Sequence, residues 1–186
     1  MRLLAPKGGY KARIEIVDIC VTSGAKGGTG KTTFAEILAY VWRAVFGLSA
    51  GVVRPLDGGG SFEFRVVDFP AFQLTDRPHL KALLRCGGVI YVVDEDYETL
   101  HAVEVLHVAL RDKALGVVLN KVAGKPGREF LRMYGRLGRV YVVHFDERMA
   151  VHKSVGVPPY RTRSVATLEM AKAAMDLKKH LFRLGR

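Results

Sequence analysis

Residues 14–42 set three kinds of sequence back to back, and that junction constrains the fold more than anything else in the chain. Ile14-Glu15-Ile16-Val17-Asp18-Ile19-Cys20-Val21 is an apolar run rich in β-branched residues. Ser23-Gly24-Ala25-Lys26-Gly27-Gly28-Thr29-Gly30-Lys31-Thr32-Thr33 is a glycine loop carrying two lysines. Phe34-Ala35-Glu36-Ile37-Leu38-Ala39-Tyr40-Val41-Trp42 has helical composition. Strand, glycine loop and helix in that order make a phosphate-binding loop. Gly27, Gly28 and Gly30 let the backbone turn tightly, with N–H groups pointing inward at an anion. Lys31 would bring charge to the β- and γ-phosphates, and Thr32 a hydroxyl to Mg²⁺. Thr29 and Thr33 complete the candidate nucleotide-binding set, and the helix starting near Lys31 aims its positive dipole end at the same anion.

The rest of the chain alternates. Strands are predicted at Ile14–Val21, near Val52-Val53, and at Phe62–Val67, Val89–Val93, Leu115–Leu119 and Val140–Val143. Helices are predicted at Thr32–Phe46, Pro78–Leu84, Glu98–Leu110, Gly127–Leu137 and Ser164–Leu184. Short, continuously apolar strands mark a parallel sheet buried on both faces. The expectation is a three-layer α/β fold of the P-loop NTPase type, with a mostly parallel sheet and helices on both faces. One domain covers residues 1–186, with 1–12 as an N-terminal extension. Residues 47–61 admit two readings. Seven residues, Pro55 to Ser61, are short for a parallel crossover. An antiparallel hairpin instead requires Gly47–Ala50 to climb back along the helix.

At 186 residues and 49% apolar composition, the chain can bury a core and is not of a disordered class. No apolar run approaches the roughly 20 residues that span a bilayer. The apolar stretch near Met1 is too short for a signal peptide, so a cytoplasmic protein is expected. Cys20 and Cys86 have neither framework nor metal spacing and are expected to be reduced and structural. One asparagine and one glutamine in the whole chain fit a thermophile. The net charge of +11 points to anionic partners.

Two predicted strands end in polar residues, where open parallel sheets bind ligands. Arg65-Val66-Val67-Asp68-Phe69-Pro70 ends in an acid suited to Mg²⁺. Gly116-Val117-Val118-Leu119-Asn120-Lys121-Val122 ends in an asparagine that could read a purine edge. Ala123 stands where the aspartate of a guanine-reading Asn-Lys-x-Asp would be, which favours adenine.

The loop Lys26-Gly27-Gly28-Thr29-Gly30-Lys31-Thr32 resembles the deviant P-loop of the MinD/ParA family of ATPases. Asp68-Phe69-Pro70 resembles that family's Asp-x-Pro, and Leu119-Asn120-Lys121-Val122 its adenine-contacting segment. Phe145-Asp146-Glu147 and Gly156-Val157-Pro158 resemble the late segment around the base, with His144 in place of the usual proline. The resemblance implies an ATPase with Mg²⁺ and a homodimer when ATP-bound. It implies phosphate and catalytic roles for Lys26, Lys31 and Asp68, metal contacts from Thr32 and Asp68, and a base contact from Asn120. It also implies that Lys26 reaches the nucleotide of the partner subunit. The family's Asp-x-Asp strand, one of whose acids positions the attacking water, aligns with Gly51-Val52-Val53. That puts Arg54 and Leu56 on the aspartate places, with Asp57 the nearest acid. Slow turnover is therefore expected, and a non-hydrolysing nucleotide-gated scaffold or a small GTPase-like switch are the alternative readings.

Arg128, Arg132 and Arg136 recur at helical spacing. The stretch from Lys121 to Arg139 holds six Lys/Arg and one acid, and that from Arg161 onward seven against two. These faces, with Lys179 and Arg183 on the last helix, are candidates for non-specific DNA binding, as in partition-type members of the family. An adaptor protein is a further candidate partner. A membrane surface through His180-Leu181-Phe182-Arg183-Leu184 ranks lower, because that segment continues a core helix.

Overall fold

The computed structural model describes residues 17–57 and 59–184, the last three by backbone alone. The expected strand start at Ile14–Ile16, the extension at 1–12, Gly58, Arg186 and the side chain of Arg183 lie outside the described residues. Six strands, β1 (Val17–Thr22), β2 (Ala50–Val53), β3 (Phe64–Asp68), β4 (Gly88–Val93), β5 (Ala114–Val122) and β6 (Val140–His144), form one sheet in the order β2-β3-β1-β4-β5-β6. Every neighbouring pair is parallel, so the sheet is wholly rather than mostly parallel. The helices are α1 (Lys31–Phe46), α2 (Arg77–Leu84), α3 (Tyr97–Leu110), α4 (Arg128–Tyr134), α5 (Glu147–Val151) and α6 (Val165–Leu184).

Both faces of the sheet are covered, as continuous apolar strands require. On one face Phe34, Leu38 and Trp42 of α1 and Met170, Ala174 and Leu177 of α6 pack on Ile19, Val66, Ile90 and Val118. Trp42 Nε1 donates to the Ala174 carbonyl at 2.9 Å and ties these two helices together. On the other face Leu83 of α2, Leu100, Val103 and Leu106 of α3 and Tyr134 of α4 pack on Cys20, Val67, Tyr91 and Val117. The centre of the sheet thus sits in two apolar layers, and β1, β3, β4 and β5 all deliver their C-terminal ends to one rim.

Most expected elements stand within three residues of their predicted ends. Helix α4 falls three residues short of its predicted end. It stops at Tyr134 with Gly135 as its cap, so Arg136 lies beyond it and the three arginines do not share one helical face. Glycine's low helix propensity ends the helix there. Helix α5 was not predicted, and five residues are too few to show a period. Residues 47–61 resolve as the parallel alternative. Residues 54–63 connect β2 directly to its parallel neighbour β3 without a helix. The connection closes in ten residues because Phe62 folds its ring against Gly51, where a Cβ would collide with it. Leu56 and Asp57 lie over the opposite side with Asp18, Arg65 and Cys86.

Cys20 and Cys86 form a disulfide across a sequence separation of 66 residues, with Cα atoms 6.0 Å apart. This corrects the expectation of reduced thiols. The turn after α2 delivers Cys86 onto the face of β1 that carries Cys20, a proximity that spacing along the chain does not reveal. In the chain-entropy picture a loop of this length contributes about 4 kcal/mol.

Candidate functional site

Helix α1 begins differently from most of its companions. Helices α2, α3 and α5 are capped by Asp76, Asp96 and Asp146, whose carboxylates accept first-turn N–H groups. Helix α1 starts at Gly30 with no side-chain cap and no acid in its first turn. Its first intrahelical bond is Phe34 N–H to the Gly30 carbonyl at 3.0 Å. The amides of Lys31, Thr32 and Thr33 precede that bond, the arrangement that receives an anion. Gly30 has φ 99°, and a Cβ there would collide with the Asn120 amide. Only glycine fits.

Beneath the loop, the buried Lys31 ammonium donates to Ser23 Oγ at 2.8 Å and to the Lys26 carbonyl at 3.0 Å. Burial lowers its pKa, opposed by the charges of Asp68 and Asp94. Thr32 Oγ1 donates to Asp68 Oδ2 at 2.7 Å, so the two expected metal-binding side chains meet. Asp68 Oδ1 is buried with no hydrogen-bond partner. Burial raises the Asp68 carboxyl pKa, against the Thr32 hydrogen bond and the charges of Lys31, Lys153 and Arg54. An orphaned carboxylate oxygen beside a threonine hydroxyl is a donor set that fits a hard divalent cation.

A cavity of about 380 Å³ opens from this loop between β5, β6 and α5. Gly30, Lys31 and Thr32 line one end, and His144, Phe145, Met149 and Met170 the other. Asn120 is buried and donates its amide to the Thr29 carbonyl at 2.8 Å. Lys121, with φ 61°, reaches back to the Gly28 carbonyl at 2.6 Å. The two residues at the end of β5 therefore grip the phosphate-binding loop from the side. A left-handed lysine is uncommon, and such strain gathers at functional sites. Asp146 accepts from Arg148 N–H at 2.9 Å and Val165 N–H at 3.0 Å, holding the starts of α5 and α6 together. Glu169 accepts from both the backbone N–H and the ring Nδ1 of His144, each at 2.7 Å.

Solved structures share this architecture. The septum site-determining protein MinD of Pyrococcus horikoshii, complexed with Mg-ADP, superposes with a TM-score of 0.71 at 18% identity, over 88% of this chain and 96% of that one. The cell division ATPase MinD of Pyrococcus furiosus gives 0.70 at 17% identity, over 88% and 98%. McdA of Cyanothece, in complex with ATP, gives 0.66 at 9% identity, over 90% and 97%. The fold is that of the MinD and ParA ATPases. No protein-family model and no curated sequence matches the chain.

Within this MinD/ParA fold the expected site residues separate into groups. Gly27 to Thr33 form the loop and α1 start, and Asp68 joins Thr32. Asn120 reaches the site through its bond to Thr29. Lys26 pairs within its own chain, with Asp96 at 2.9 Å and Glu98 at 3.2 Å. Arg128, Arg132 and Arg136 are exposed and lie apart from the cavity lining. Lys179 pairs with Asp176 at 3.0 Å, and Arg139 reaches the same carboxylate at 3.6 Å. Asp57 does not line the cavity either.

Sequence reasoning missed Lys121, the pair Asp96 and Glu98, and His152. The buried His152 sits 3.4 Å from Thr33 Oγ1 and 3.1 Å from the Val157 carbonyl. The Asp96-Tyr97-Glu98-Thr99 helix start could have flagged the acids as first-turn residues. Nothing local marks His152.

Proposed function

We propose that this chain binds Mg·ATP and works as a slow, MinD/ParA-like ATPase whose nucleotide state controls dimerisation and binding to DNA or a protein partner. The observation that carries the reading is Asp68, with one oxygen on Thr32 and the other buried without a partner. Thr32 and Asp68 would hold the metal, and Mg²⁺ there would neutralise charge on the β- and γ-phosphates. Lys31 and the uncapped amides of α1 bind the phosphates, while Asn120 and Lys121 fix the loop. The MinD complex with Mg-ADP in the same fold supports the ligand class. Titration of ATP and GTP by calorimetry tests it, with tighter binding of ATP expected because Ala123 supplies no carboxylate for guanine. Equal affinity overturns the adenine preference, and ligand binding that is indifferent to Mg²⁺ overturns the metal site.

Slow turnover follows from how the carboxylates near the loop are engaged. Asp68 faces Thr32, and Asp146 caps two helices. The end of β2 offers the cation Arg54 instead of an acid. A turnover well above about 1 s⁻¹ would show that another group activates water; none at all favours the scaffold reading. Lys26, held by Asp96 and Glu98, would leave them for a partner subunit's phosphate when ATP is bound. Light scattering checks this as an ATP-dependent mass increase that Lys26→Ala removes.

The exposed Arg128, Arg132 and Arg136 support non-specific DNA contact, with Lys179 and Arg183 as lesser contributors. Log affinity is then expected to fall linearly with log salt, at about 0.9 per phosphate neutralised. The sparse amides and the disulfide suit an organism of hot environments, where intracellular disulfides persist. Among the described residues no helix is long and apolar enough to cross a membrane, and cytoplasmic placement is part of this proposal.

A further inference from the structure

Strand β2 ends the sheet, with β3 as its one neighbour among the described residues. The parallel register sets Ala50 opposite Phe64, and Phe64 N–H donates to the Ser49 carbonyl at 2.9 Å. Backbone groups alternate sides along a strand. Those of Ser49 and Gly51 therefore turn toward β3, and those of Ala50 and Val52 turn outward. Arg43 closes one outward position, donating to the Ala50 carbonyl at 2.8 Å. Val52 is 37% exposed, and its amide and carbonyl remain at the edge.

An open groove of about 690 Å³ runs along this edge, between α1 and residues 152–160. Val52, Phe62, Pro158 and Tyr160 give it apolar walls. Those walls are braced. Tyr160 stacks on Tyr40 of α1 with ring centroids 4.3 Å apart and planes within 5°. His152 holds the far loop through the Val157 carbonyl. Of the charged side chains facing the groove, Arg43 and Lys153 outnumber Glu36.

We propose that this groove binds an extended segment of a partner protein, added to the sheet as a strand against Val52, with apolar residues alternating with acidic ones. Strand addition draws affinity from main-chain hydrogen bonds and specificity from pockets for alternate side chains. The edge supplies the former, and the braced aromatic and proline walls the latter. The cations at the groove, on a chain of net charge +11, select acidic residues at the alternate positions. The same cations disfavour a second copy of this chain, because edge-to-edge pairing would face Arg43 and Lys153 with their own kind. The groove shares His152 and Lys153 with the cavity beside the loop, so peptide binding is measured on the nucleotide-free chain, where α1, β2 and residues 152–160 already form it.

The test uses the nucleotide-free chain and three fluorescein-labelled octapeptides. One alternates valine with glutamate, one valine with lysine, and the third is the glutamate peptide N-methylated at alternate amides. Fluorescence anisotropy is expected to show binding of the glutamate peptide, none of the lysine peptide, and at least a tenfold loss on N-methylation. Lys153→Glu is expected to weaken the glutamate peptide at least threefold. In the unsubstituted protein, hydrogen exchange at the Val52 amide is expected to slow when that peptide binds. No binding of the glutamate peptide at millimolar concentration overturns the proposal. So does equal binding of the N-methylated form, or binding that leaves Val52 exchange unchanged. Protection of Val52 that grows with protein concentration alone would assign the edge to a second copy and also overturn it.

Discussion

At the loop end of the cavity, the proposed phosphate end, Lys31 and Thr32 line the wall and Asp68 stands behind Thr32 with its Oδ1 unpartnered. At the base end the polar side chains are occupied with their own structure. Asn120 holds Thr29, Glu169 holds His144, and Asp146 joins two helix starts. At the proposed phosphate end Lys31 and Thr32 rest on Ser23, the Lys26 carbonyl and Asp68, and Asp68 Oδ1 is left open; at the proposed base end the polar groups keep the shape of the wall. A highly charged oligophosphate and its metal need particular residue types at particular atoms. A purine ring needs mainly shape and apolar contact, and under the proposed function Phe145, Met149 and Met170 of the cavity wall would offer it.

That contrast breaks most easily at Lys31. A charge-assisted contact to phosphate is worth up to about 3 kcal/mol, close to a hundredfold in affinity. Calorimetry of Lys31→Ala with Mg·ATP should show a loss of that order, larger than any substitution at the base end produces. A smaller loss than that from Asn120→Ala would invert the comparison.

Asp68 sharpens it through pH. Burial raises this carboxyl above its ordinary value, and a metal competes with its proton. Binding of Mg·ATP should therefore weaken as pH falls through that raised pKa, at a higher pH than an ordinary carboxylate would give. Asp68→Asn should abolish both the metal requirement and this pH dependence. The linkage in metal-free protein has the opposite sense. The folded state holds the Asp68 proton more tightly than the unfolded chain does, so stability from this group is present at low pH. It is lost as pH rises through the folded-state pKa. Melting temperatures in EDTA, compared with Asp68→Asn across that range, check the sign.

Lys26 tests whether the phosphate end is complete in one chain. Its ammonium is held by Asp96 first and Glu98 second, and those hydrogen bonds raise its pKa. Exposed pairs of this kind are weak, and asparagine keeps a capping oxygen for α3, so Asp96→Asn with Glu98→Gln should leave folding nearly unchanged. ATP-dependent association, followed by sedimentation, should then occur at severalfold lower protein concentration. Unchanged association would mean that releasing Lys26 does not limit it.

The phosphate end was legible because its chemistry permits few sequences. Gly30, Lys31, Thr32 and the strand-end Asp68 were each identifiable from type and spacing, and the alternation of apolar runs carried the parallel sheet with them. What was not legible depends on residues distant in sequence. The Cys20–Cys86 bond needs α2 to fold back over β1. The parallel connection from β2 to β3 needs Phe62 to lie on Gly51. Helix α5 is too short to show a period, and His152 meets Thr33 across a separation of 119 residues. The pairing of Lys26 with Asp96 and Glu98 at the start of α3 likewise joins residues far apart in sequence.

Asn120 gives the smallest effect and the finest test of the comparison. Its amide donates to the Thr29 carbonyl, and the close approach of Gly30 leaves it little room to turn. As a brace for the loop, it acts on the phosphates and so on every nucleotide alike. A buried neutral hydrogen bond contributes about 1 kcal/mol, or roughly fivefold in affinity. Asn120→Ala should therefore weaken ATP, GTP and inorganic triphosphate by the same few-fold. Asn120→Asp should do no better, because a carboxylate cannot donate to Thr29 and brings a negative charge toward the phosphates. A loss confined to ATP, with triphosphate unaffected, would return Asn120 to the base and give the base end a dedicated reader. Measuring triphosphate beside the nucleotides separates the two roles, because it carries the phosphate chain without any ring for Asn120 to touch.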